Sequence, residues 1–344
     1  MPANLRFIAI RIASMLGLLW VLTIVVFALQ ELSDTDPVAA TIGNSASPEA
    51  IAAARERLGL DRPVLVRYFS YLAGLLRGDF GTSFRTHNPV TQDLASAFPA
   101  TMELVLFAFV LALILGTLFA ISSLLKWPGA GALRGLLFVG STAPTFLLGI
   151  VGLIVFYRVL GWLPGRGRSS MTDTGPTGFL ILDGVLSGNP ALIGDALQHL
   201  LMPGLALAVG PALAIGRVLR SSLRETLSTD YVRTATAKGL SERQVLFRHV
   251  LRNSVNSALS MSALHLGFMF GGVLVVESVF SWGGMGSYLS ASLPVADFPS
   301  VAAVTLILGA LYISINTITD MLQSVAAPRI AIASPNASRG RNHH

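Results

Sequence analysis

The chain has 344 residues, of which 53% are hydrophobic and only 12% charged, and its mean hydropathy is +0.66. That is more apolar surface than a soluble core of this length can hide, so a soluble globular protein is excluded and an all-α integral membrane protein is indicated. The formal net charge of +6 gathers in particular loops rather than in a nucleic-acid patch, and the absence of cysteine excludes a disulfide framework and a thiolate metal site.

Six stretches are long enough to span a hydrocarbon core that needs roughly 20 apolar residues. They are residues 12–29, 104–125, 135–157, 196–216, 254–276 and 298–319. The first is too long, and too poor in a small-residue cleavage site, for a removable signal peptide, so residues 1–30 read as the N-terminus and a retained helix. Residues 31–100 are too patterned to be a linker. Ser47-Pro48-Glu49 opens a helix with proline in its first turn, and Leu58-Gly59 closes it. Pro63 starts another, whose Tyr68, Phe69, Tyr71 and Leu72 suit a membrane interface. Residues 101–330 hold the other five spans. Pro144 is expected to kink the third, as Pro203 and Pro211 do the fourth. Residues 331–344 are polar, without periodicity, and read as a disordered tail.

The segment after the fourth span, 221–253, is polar and basic and reads as two short helices around a glycine. Ser228, Thr229 and Asp230 offer oxygens to open the first, Lys238 lies near its negative end, and Gly239 can take the left-handed conformation that stops it. Ser241 followed by Gln244 is a capping box for the second, whose apolar side is Val245, Leu246, Val250 and Leu251. This segment also fixes orientation, because basic residues stay inside. The loop that follows the fourth span, taken from residue 217, carries Arg217, Arg220, Arg224, Arg233, Lys238, Arg243, Arg248 and Arg252, against Arg158, Arg166 and Arg168 after the third span. With an even number of spans, both termini and this loop are expected in the cytoplasm.

A polar side chain in a span is costly and invites a functional reading. His265 lies mid-span, where it either bonds a neighbouring helix or faces a substrate path. Glu277 and Trp282, at the far end of the fifth span, form a capped turn or part of a gate. Asn316 and Asp320 lie in or beside the sixth span, Asp320 at its inner end with a structural partner expected.

The stretch Asp230-Tyr231-Val232-Arg233-Thr234-Ala235-Thr236-Ala237-Lys238-Gly239-Leu240-Ser241 resembles the EAA loop of ABC importer permeases in the dipeptide/oligopeptide family. Arg233-Thr234-Ala235 stands at the three name-giving letters and Gly239 at the motif glycine, with Leu240, Ser241 and Arg243 following. Residues 58–63, 76–83, 160–164 and 277–286 resemble the same family, so the likeness runs in order over residues 5–330. Two departures are a missing proline at 253–257 and Gly283 where proline is more usual. The resemblance implies a type I ABC importer permease with six transmembrane helices, a helical outer region after the first span and a cytoplasmic coupling helix after the fourth. It further implies a second homologous permease, two ATP-binding cassette subunits, an extracytoplasmic binding protein, surrounding membrane lipid and a bacterial inner-membrane location.

The chain has no phosphate-cradling G-x-x-x-x-G-K-[ST] loop and no H-E-x-x-H, so no cofactor is expected on it, and ATP and Mg belong to the partner ATPases. Ser141 and His265 do not make a hydrolase, since Ser141 lacks a turn glycine after it. The rival reading is a secondary transporter coupled to an ion gradient through Glu277, His265 or Asp320.

Overall fold

A computed structural model of the chain describes residues 3–32, 38, 47–122, 129–172, 175–245 and 250–326. The expected tail at 331–344, together with Leu246 and Arg248, lies outside the described residues. Among the described residues the fold is helical, with one isolated β-bridge between Thr82 and Pro89.

Helix α1 (Ala3–Glu31) is the first span. Two short helices follow, α2 (Pro48–Leu58) and α3 (Val64–Leu76). The start of α2 is as its sequence dictates, with Ser47 Oγ accepting from the Ala50 amide behind Pro48. Helix α3 docks on α1 through Tyr68, whose hydroxyl is 2.9 Å from Thr23 Oγ1 and whose ring meets Phe27 edge-on at 5.4 Å. Arg67 closes the contact by donating twice to Glu31, at 2.6 and 2.8 Å.

The second span is α4 (Val90–Ser122). The third apolar stretch is not one kinked helix, as its sequence suggests, but two: α5 (Ala130–Thr142) and α6 (Thr145–Gly152), the latter prolonged by a π-helical turn at Leu153–Val159. They meet at 118°. Ala143, held extended before Pro144, ends α5, and the proline then serves as the N-cap of α6. In contrast, the fourth span, α8 (Pro190–Leu227), which follows the short α7 (Leu180–Leu186), runs helical through Pro203 and Pro211 for 38 residues. At 1.5 Å per residue that is about 57 Å, well beyond the hydrocarbon core. Beyond it come α9 (Asp230–Ala237), α10 (Glu242–Val245), α11 (Leu251–Phe280), α12 (Met285–Ser292) and α13 (Phe298–Ala326). Five of these helices are long and apolar enough to cross a membrane, and the count is six where the bent α5–α6 pair is taken as one span.

The centre of the bundle is the α4–α8 pair. Small side chains let the two backbones touch, which is how helices associate where lipid removes the hydrophobic drive. A Cβ on Gly116 would lie 2.8 Å from the Ala212 carbonyl oxygen, and one on Gly216 would lie 2.8 Å from that of Gly116. Ala108, Ala112, Ala208 and Ala212 are fully buried around them. Helix α11 packs on α8, and α13 packs on both α11 and α1.

Candidate functional site

The element at the end of α8 is assembled mainly by local chemistry. The hydroxyls of Ser228 and Thr229 donate back to the carbonyls of Glu225 and Thr226 and so finish α8. Helix α9 ends at Ala237, and Gly239 has φ +84° with open space around it, so its requirement for glycine is one of backbone conformation alone. The capping box forms in both directions: the Ser241 amide donates to Gln244 Oε1 at 3.0 Å, and the Gln244 amide to Ser241 Oγ at 3.4 Å.

Apolar contact fixes this element to the bundle. Val232, Val245 and Val250 are buried in the same core cluster as Leu219 and Leu223 of α8, with Leu240 and Leu251 packed against it. Thr226 Oγ1 and Ser254 Oγ, 2.9 Å apart, tie the end of α8 to the start of α11. Asp230, Thr234, Ala237, Lys238, Gly239 and Ser241 are exposed. The side chains of Tyr231, Arg233, Ala235 and Arg243 lie outside what is described. Helix α11 runs without a break through 253–257, so the missing proline leaves a continuous helix.

At the other end of α11, about 44 Å away by helical rise, Glu277 and Trp282 are brought together in a buried lock. Glu277 is fully buried. Thr101 Oγ1 donates to its Oε1 at 2.5 Å, and the amides of Gly286 and Ser287 donate to its Oε2 at 2.7 and 3.1 Å. Thr101 accepts in turn from the Met285 amide. The carboxylate thus caps α12, where a helix N-terminus presents unpaired N–H groups and positive potential. Trp282 donates its indole N–H to the Ala100 carbonyl at 2.9 Å. Gly283 has φ +78°, closed to proline, and a Cβ on Gly284 would come within 2.5 Å of Thr101 Oγ1.

Two neighbouring networks carry polar residues that the sequence did not single out for function. Glu103 of α4, 6% exposed, pairs with Arg168 at 2.7 Å and accepts from the Ile181 amide at 2.8 Å. Asp297 is fully buried, accepting from Ser83 Oγ at 2.5 Å, the Phe84 amide at 3.0 Å and Ser300 Oγ at 2.6 Å. Tyr288 extends that network, its hydroxyl 2.6 Å from Ser300 Oγ and 3.0 Å from Asp93. Two of the partners of Asp297, Ser83 and Phe84, come from a segment more than two hundred positions earlier in the chain, which no local pattern can signal.

His265 joins neither group. It is partly buried midway along α11, its ring edge-on to Phe268 at 6.2 Å. Asp320 pairs with Arg11 at 2.7 Å, joining α13 to α1.

A bundle of apolar helices, one of them long and carrying a partly exposed helix–glycine–helix element, is the architecture of a polytopic membrane protein. Residues 108–332 match the family described as the binding-protein-dependent transport system inner membrane component, and residues 4–105 match the N-terminal family of such membrane components. The chain belongs to this family, as a multi-pass inner-membrane permease subunit of an ABC importer and not an ATPase. It is 35% identical over 325 residues to the dipeptide transport system permease protein DppB of Alkalihalophilus pseudofirmus, covering 93% of this chain and 97% of that protein. It is 36% identical over 338 residues to the di/tripeptide transport system permease protein DppB of Pseudomonas aeruginosa, covering 95% and 98%. The glutathione transport system permease protein GsiC of Salmonella typhimurium is 32% identical over 329 residues, covering 95% and 99%.

Proposed function

We infer that the chain is one of two pore-forming subunits of an importer for di- and oligopeptides, which an extracytoplasmic binding protein delivers and two ATP-binding cassette subunits drive. The observation that carries this reading is the α9–Gly239–α10 element, which joins the end of α8 to the start of α11 and leaves Thr234, Ala237 and Lys238 exposed for a partner. Closure of ATPases around ATP and Mg would push α9, and the push would reach α8 and α11 together. The peptide cargo is supported by the names of the relatives.

In this reading α9 and both termini are cytoplasmic, and the Glu277–Trp282 lock frames the outer gate. His265, on α11 between them, stands beside the path. The ion-coupled alternative has less to work with: Glu277 is engaged by three donors and Asp320 by Arg11. Proteoliposomes of the whole complex test this. Peptide uptake is expected only with ATP on the face that carries Gly239 and peptide-loaded binding protein on the opposite face. Peptide accumulation by this polypeptide alone, driven by a proton or sodium gradient, would overturn the reading.

A further inference from the structure

Four arginines gather where α5 meets the last turns of α8. Arg134 and Arg224 lie close enough to Arg220 for their charges to repel it, and Arg217 stacks over the Phe138 ring at 5.6 Å. Among the described residues no acidic side chain pairs with any of the four; the ion pairs present lie elsewhere. Arg220 Nε is buried and has no hydrogen-bond partner there. Arg220 as a whole is only partly buried, so its guanidinium, set in a cluster of one sign without a carboxylate, can be reached by an anion.

What surrounds the cluster says which anion. On the same stretch of α5, Leu136 and Val139 are 74% and 67% exposed, and Phe138 is also exposed. These belong to an apolar helix of the bent α5–α6 pair, a surface suited to hydrocarbon rather than water. We propose that the α5–α8 junction holds an anionic phospholipid, its phosphate against Arg217, Arg220 and Arg224 and its acyl chains along Leu136 and Val139. Guanidinium groups match phosphate oxygens in bidentate fashion, and basic pockets between membrane helices suit such headgroups. A bound phosphate would relieve the repulsion within the cluster and fix the base of the helix that carries α9.

Native mass spectrometry of the detergent-purified complex, titrated with phosphatidylglycerol or phosphatidylcholine, tests the site. Wild type is expected to retain phosphatidylglycerol saturably and phosphatidylcholine much less. Arg217→Gln with Arg220→Gln should weaken phosphatidylglycerol binding about 30-fold, each basic residue near an anionic surface being worth a factor of about five. Arg217→Lys with Arg220→Lys should recover most of it. If the double glutamine variant does not assemble, Arg224→Gln, at an exposed position, carries the test with about a fivefold loss. Equal binding of the two lipids, or unchanged phosphatidylglycerol binding in the glutamine variants, overturns the proposal. So does a variant that sheds its partner subunits while keeping its lipid, which would assign the arginines to a protein interface.

Discussion

Where α4 begins and α11 stops, three buried carboxylates, Glu103, Glu277 and Asp297, each hold a loop or a short helix against the bundle, and each carboxylate takes at least two donors. Where α8 passes into α9, buried valines and leucines anchor the element, and the hydrogen bonds of Thr229, Ser241 and Gln244 stay within a few residues. A hydrogen-bonded carboxylate in a buried site permits few geometries, because displacing it strands donors that water cannot reach. Apolar contact is less directional. The two ends therefore differ in kind: directional bonds hold one in a single geometry, and the contacts that hold the other tolerate displacement.

The sharpest way to break that contrast is to remove the carboxylate. Glu277→Ala leaves the amides of Gly286 and Ser287 and the hydroxyl of Thr101 without their acceptor, at a cost of about 3 kcal/mol or more. Thermal unfolding of the purified complex should show a clear drop in midpoint, with Glu277→Gln intermediate. An unchanged midpoint in both would mean that the lock does not stabilise this end.

Gly239→Val probes the other end, where a smaller cost should have a larger functional consequence. No side chain crowds Gly239, so valine meets only the left-handed backbone penalty, about 1 kcal/mol or more. The spans should insert normally and the unfolding midpoint should move less than for Glu277→Ala. Substrate-stimulated ATP hydrolysis by the complex should be lost, or the ATPase subunits should dissociate. Wild-type hydrolysis and full subunit retention would show that this element does not couple.

The same contrast explains what could be read from the chain itself. Spans are legible because burying twenty residues in lipid demands a long apolar run, and the capping box because Ser241 and Gln244 are three positions apart. The glycine at 239 is legible for the same local reason. Ser228 and Thr229 are ambiguous in sequence because a hydroxyl near a helix junction can serve either helix; the bonds they donate go to the earlier one. Pro144 signals a break in the third stretch, but the 118° turn depends on how α5 and α6 each pack on α8. Glu103 and Asp297 are not legible because most of their partners lie far off in sequence, in loops without a pattern of their own.

The smallest expected effect lies outside both ends, where α3 rests on α1. The Tyr71 hydroxyl is buried there without a hydrogen-bond partner among the described residues, unlike Tyr68 beside it, which is paired with Thr23. Burial, and then the neighbouring Tyr68, push the Tyr71 phenol up to about 12 from its usual 10. A phenol whose folded-state value is raised contributes stability that is complete below pH 10 and lost as pH climbs through 12. Tyr71→Phe keeps the ring against Phe27, 5.6 Å away, and removes only the unsatisfied oxygen. It should be neutral or stabilising by up to about 1 kcal/mol at pH 7, since a buried hydroxyl without a partner is a net cost. Because phenylalanine has nothing to ionise, the gap in unfolding midpoint between variant and wild type should widen between pH 10 and 12. A destabilised variant at pH 7 would show instead that the hydroxyl has a partner, such as an ordered water, and that α3 is held as firmly by polar contact as the lock around Glu277.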